Sequence, residues 1–113
     1  METFSAGTTI DPRALANAPD LTLGENQVRL SGLRYTITLN LRGRTGERVS
    51  GQLWVEGAPG RILPPIEISG AKGWRSGYVV PVMNGALGGE LTVGGSRISM
   101  DGGVGYHDHN WGF

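Results

Sequence analysis

From Tyr35 to Leu41 the chain reads Tyr-Thr-Ile-Thr-Leu-Asn-Leu, apolar at each odd position and polar at each even one. A period of two sends successive side chains to opposite sides of the backbone. Such a stretch hides its apolar side only as a β-strand with one buried and one wet face. Gly43-Arg44-Thr45-Gly46-Glu47 then supplies turn residues, and Val49 to Val55 repeats the pattern with Val49, Leu53 and Val55 on one face. The two runs are expected to pair as a hairpin. Twenty glycines in 113 residues argue against a helical alternative, because each interior glycine weakens a helix by roughly 1 kcal/mol relative to alanine.

The rest of the chain is punctuated in the same way. Residues 1–25 are weakly patterned and read as a lead-in. Within it, Asp11-Pro12-Arg13-Ala14-Leu15-Ala16 pairs a capping residue with a proline at a first helical position, which predicts one short helical turn. The β domain spans 26–113. Ile62 to Ile68 contains Pro64-Pro65, which cannot donate ladder hydrogen bonds, so it is expected at an edge or interrupted. Tyr78 to Met83 is apolar on both faces and is expected to be covered twice or to line a cavity. Asn84 to Gly89 reads as a turn. Glu90–Val93 and Arg97–Met100 read as a hairpin about Gly94-Gly95, and Val104–Trp111 as a last strand with nothing after it to pair against. Six or seven short strands at this spacing predict an all-β sandwich or antiparallel barrel. A closed ligand-holding barrel wants about eight strands. The expectation is therefore a partial barrel or sandwich half, incomplete at its C-terminal end, and either part of a longer chain or completed by a second β domain or subunit.

Composition narrows the function. Ten basic and ten acidic side chains cancel, so no global field gathers nucleic acid or acidic lipid. Without cysteine there is no disulfide framework and no thiolate metal site. No run of 18 apolar residues predicts a membrane-spanning helix, and Met1 to Ser5 lacks the basic start and apolar core of a secretory signal. A cytoplasmic location follows as the expectation, with contact to a membrane surface if the substrate resides there. Arg42, Arg44 and Arg48 read as a solvated hairpin tip. The chain contains no Gly-x-Ser-x-Gly nucleophile elbow.

Chemistry concentrates in Asp101 to Phe113, which holds both histidines, one of three tryptophans, one of three tyrosines and two of four aspartates. If extended, it puts Tyr106, Asp108 and Asn110 on one face and His107, His109 and Trp111 on the other. Two histidines on one face fall short of the three or four ligands zinc requires, so no metal is assigned. Gly102-Gly103-Val104-Gly105 lacks the lysine and following helix of a phosphate loop. An aspartate beside a tyrosine and two histidines on an apolar strand suits acid–base work, its proton retained by desolvation. The same residues equally suit a hydrogen-bond network that ties this strand to its neighbour. Trp54 stands opposite Leu53 and Val55 and either packs outward or half-covers a sheet. Trp74 and Tyr78 either line a pocket mouth or staple a loop. With Val80 these are the candidate substrate-lining residues.

Tyr106-His107-Asp108-His109-Asn110-Trp111-Gly112 resembles the signature of the carotenoid 1,2-hydratase (hydroxyneurosporene synthase) family, grouped with the AttH-like proteins. Gly73 to Gly85, Leu91 to Gly95 and Ser99 to Gly103 agree with it, and the resemblance runs from about Leu21 to Phe113. It implies a lipocalin-like β-barrel, two halves of which make up a family chain much longer than this one. It implies an apolar isoprenoid or polyene substrate and no cofactor. The implied reaction adds water across a terminal double bond: a carboxylic acid protonates the alkene and water captures the tertiary cation. His109 and Trp111 then match a His-x-Trp pair, with the indole face stabilising the cation and histidine or asparagine orienting water. Tyr106 and Asp108 match a Tyr-x-Asp spacing for proton delivery, which either lies here or recurs further along a full-length chain. Lipocalin-like binding without chemistry, and a truncated structural remnant, are the alternatives.

Overall fold

The computed structural model describes residues 4–5, 9 and 11–113. Among the described residues nine strands form one antiparallel sheet: β1 (Phe4–Ser5), β2 (Leu21–Leu23), β3 (Asn26–Ser31), β4 (Arg34–Gly43), β5 (Arg48–Glu56), β6 (Leu63–Ser69), β7 (Arg75–Val93), β8 (Ser96–Ser99) and β9 (Gly103–Gly112). The order runs β2-β3-β4-β5-β7-β6, with β1 beside the end of β4 and with β8 and β9 on β7. The sheet curls but does not close into a barrel. The all-β, antiparallel, partial-barrel expectation describes it.

The expected hairpin is β4–β5. Its register sets Tyr35 against Val55, Ile37 against Leu53 and Leu41 against Val49, so the apolar faces of both strands coincide. Val28 and Leu30 of β3 join the same face opposite Ile37 and Tyr35, and Leu87 of β7 joins opposite Val55. Tyr35, Val55 and Val82 are buried there, with Val28, Leu30 and Leu87 packed around them. Val82 is the most enclosed, at 1% exposure. Each such aliphatic side chain stabilises the fold by roughly 1.5–3 kcal/mol.

Local signals explain the remaining elements. Asp11 caps a 3-10 turn over Pro12–Asn17, its carboxylate accepting from the Arg13 N–H at 2.9 Å. β6 lies at an edge, paired only with β7, and its register breaks between Leu63 and Ile66, across the two prolines. Glu90–Val93 and Ser96–Ser99 form the expected second hairpin.

The turn expected over Asn84–Gly89 does not exist: β7 runs unbroken through it for 19 residues. The glycines there make room for neighbours instead of turning the chain. A Cβ at Gly88 would lie 2.3 Å from the Trp54 ring, which occupies that space. The strand also bends without breaking, because its pairing with β9 slips between Val79 and Val82 and again between Val82 and Gly85. Each slip is a β-bulge, and bulges sharpen local twist. The last strand, expected to have nothing after it to pair against, pairs back along β7 from Ser76 to Leu87.

Curvature follows from these bulges and one close approach. Tyr35 on β4 and His107 on β9 belong to strands three positions apart, which a flat sheet would hold ~14 Å from each other. Their ring centroids are 4.5 Å apart, edge to face. Beneath that contact Val55 leans over Gly105, where an added Cβ would lie 2.6 Å from Val55 Cγ1. Gly105→Ala should therefore overpack the centre of the curl and cost about 1–3 kcal/mol. Gly112→Ala, whose methyl would meet only the Arg75 carbonyl at 3.5 Å, should stay within about 0.5 kcal/mol of the parent. Urea unfolding of both variants checks the contrast.

Candidate functional site

β9 carries the signature, and its alternation divides the chemistry as expected. Tyr106, Asp108 and Asn110 are exposed, whereas His107 and Trp111 are half-buried on the opposite face. On the exposed face Asp108 Oδ2 accepts from the Tyr106 hydroxyl at 3.3 Å and from Asn110 Nδ2 at 3.5 Å. Tyr78 is the cross-strand neighbour of Asn110. Partial desolvation, then the charge of Asp108 and its hydrogen bond, hold the Tyr106 phenol above its ordinary value.

On the other face His109 stacks on Trp111, with ring centroids 5.8 Å apart and planes 27° apart. Trp111 lies over Gly77, its cross-strand partner, where a Cβ would come within 2.4 Å of the indole. His107 turns into the curl. It lines a small cavity of about 150 Å³ with Val28, Tyr35, Ile37, Val55 and Tyr106. The walls are aliphatic and aromatic. His107 Nδ1 is buried there without a hydrogen-bond partner, a condition that costs about 1–3 kcal/mol until a donor arrives. Burial pushes the His107 imidazole below its ordinary value, and the neighbouring His109 adds to this while Asp108 opposes it. Burial raises the Tyr35 phenol.

The cavity thus gathers Tyr106 and His107 from the residues singled out by sequence, and not the others. Asp108, expected in a water-poor hollow that retains its proton, stands on the exposed face because its position in the strand alternates with that of His107. Trp54 packs outward, under the Arg34 guanidinium at 4.1 Å from its ring. Trp74 is 52% exposed and staples a loop, its ring against Gly70 and its carbonyl accepting from the Gly70 N–H at 2.7 Å. Val80 is buried in the sheet as the partner of Leu63. Tyr35, Ile37 and Val55 were legible only as a core face, since nothing in a period-two pattern separates a filled core from a cavity wall, and Val28 was not singled out.

Among the described residues no three His, Asp or Glu side chains gather as a metal ligand set, and no helix is long and apolar enough to cross a membrane. Compared with family models, curated proteins and solved structures, the chain matches none.

The site has a measurable pH signature. Around His107 the titratable groups are Tyr35 from β4 and Tyr106, Asp108 and His109 from β9 itself. A histidine whose folded value lies below its unfolded value binds fewer protons folded than unfolded. Its contribution is complete above about pH 6.5 and is lost as pH falls through the depressed folded value. Urea midpoints should fall between pH 7.5 and pH 5, and His107→Phe should flatten that slope.

Proposed function

We propose that this chain binds an apolar isoprenoid or polyene against the inner face of its sheet and acts as a carotenoid 1,2-hydratase-like protein, adding water to a carbon–carbon double bond. The observation that carries the reading is His107: a half-buried imidazole, shifted toward its neutral form, whose buried Nδ1 has no partner in an apolar cavity. Aliphatic walls suit a hydrocarbon. The free Nδ1 suits the one polar participant such a reaction needs, a water molecule or a ligand hydroxyl.

The residues support a balanced sequence of proton moves. Tyr106 both lines the cavity and donates a hydrogen bond to Asp108. In this reading the Tyr106 hydroxyl protonates the alkene and is reprotonated from the Asp108 carboxyl. Water then attacks the tertiary cation and loses its proton to His107 Nδ1. Asp108, open to solvent, recovers a proton there, and His107 releases one, so the net change is addition of water. The stacked His109–Trp111 pair on the same face as His107 offers an indole to a nearby cation, a contact of about 0.5–2 kcal/mol.

Exposure of Asp108, which leaves it outside the cavity, favours the second reading, a lipocalin-like holder that binds the same ligand without converting it. One experiment separates the two. An acyclic carotenoid is added to the wild type, Asp108→Asn, Tyr106→Phe and His107→Phe, with tryptophan fluorescence reporting binding and chromatography reporting the hydrated product. The hydratase reading expects quenching in wild type, Asp108→Asn and Tyr106→Phe, and at least tenfold loss of product in all three variants. Quenching with no product in any of them leaves the holder, and no quenching removes both.

A further inference from the structure

The hollow at the Tyr35–His107 contact has a volume of about 150 Å³. An apolar cavity of that size encloses a body the size of benzene. A long chain lying on the inner face of the sheet can put only one end into it, a group of about seven heavy atoms. Val28, Ile37 and Val55 supply aliphatic wall, and Tyr35, Tyr106 and His107 supply rings.

One polar atom decides what such a group must carry. His107 Nδ1 is buried and has no partner among the protein's own groups, and burial favours the uncharged imidazole. A neutral imidazole nitrogen is a donor or an acceptor according to its tautomer, whereas a hydroxyl both donates and accepts, so a hydroxyl pairs with Nδ1 in either case. A hydrocarbon leaves the nitrogen unpaired. An ammonium or a carboxylate would bring its charge among aliphatic walls. Water alone is a poor occupant, because a buried water wants about two to four polar partners. The other side chains offer it little: only the two tyrosines carry an oxygen, and that of Tyr106 is given to Asp108 on the exposed face. A hydroxyl on an apolar body asks for one polar partner and leaves its carbon atoms to the walls.

We infer that the hollow selects a compact, uncharged apolar group bearing a hydroxyl, with the oxygen on His107 Nδ1 and the carbon body against Val28, Ile37 and Val55. Such a group is supplied by a free phenol or small alcohol, or by the hydroxyl-bearing end of a longer apolar chain. The inference rests on the proposed function only in taking the hollow as the ligand site. It needs neither a double bond nor a proton transfer.

Phenol and toluene are equal in heavy atoms and close in shape, and differ in the hydroxyl. Each is titrated into the full chain carrying isotope-labelled histidine, with the imidazole nitrogen resonances of His107 reporting occupancy. Phenol should bind about tenfold more tightly than toluene, the worth of one hydrogen bond to a buried nitrogen. It should also move the Nδ1 resonance where toluene does not. His107→Phe keeps a ring against Tyr35 without the nitrogen and should bind both ligands alike. Octanol competing against phenol separates the two sources. Displacement below the Kd of phenol assigns the end of a longer chain, and displacement only above it assigns a free small molecule. Equal affinity for phenol and toluene in the wild type overturns the inference. So does binding of neither at millimolar concentration, or a phenol preference that survives in His107→Phe. Carotenoid quenching without the phenol preference removes this inference and leaves the proposed function; the preference without quenching does the reverse.

Discussion

The edge-to-face contact of Tyr35 with His107 ties together strands that a flat sheet would keep far apart. The rest of the molecule depends on it. It requires β5 and β9 to approach over the top of β7, which Gly105 allows by giving Val55 the space a side chain would fill. It also requires β7 to bend, which the slips at Val79–Val82 and Val82–Gly85 provide. Once the sheet has curled, Val82 is enclosed, an apolar hollow forms and a histidine is carried into it. Core, cavity and buried imidazole are consequences of one act of bending.

Apolar alternation identified the hairpin with its in-facing residues, because a strand that must bury one face leaves its register little freedom. The proline pair in β6 and the capped turn after Asp11 were legible for equally local reasons. The course of β7 was not. Gly85, Gly88 and Gly89 look like turn residues when read singly, but Gly85 is closed in by the Glu56 carbonyl of β5 and by Val82 of its own strand, and Gly88 by the Trp54 ring of β5. A glycine that serves a distant ring carries the same letter as one that serves its own backbone. Only the fold distinguishes them.

The candidate site was legible to a similar depth. Strand alternation separated His107, His109 and Trp111 from Tyr106, Asp108 and Asn110 correctly, because that partition follows from backbone geometry. Which of the two faces would be sheltered did not follow, since it depends on the direction in which the sheet curls. The curl shelters His107 and leaves His109 of the same face exposed. The group placed among hydrocarbon walls is thus a base and not an acid, and the carboxylate stays on the exposed face, bonded to the Tyr106 hydroxyl. Trp54 and Trp74 attracted attention as large aromatics, yet each packs on a neighbour outside the cavity, Arg34 in one case and Gly70 in the other.

The two faces of β9 and its open edge impose different demands on the same ten residues. The inner face needs rings and a buried nitrogen, and it tolerates Gly103 and Gly105 because neighbours fill the space above them. The outer face holds Tyr106, Asp108 and Asn110 in solvent, linked through Asp108 Oδ2. The edge is decided by neither, since its hydrogen-bonding groups are backbone and remain whatever the side chains are.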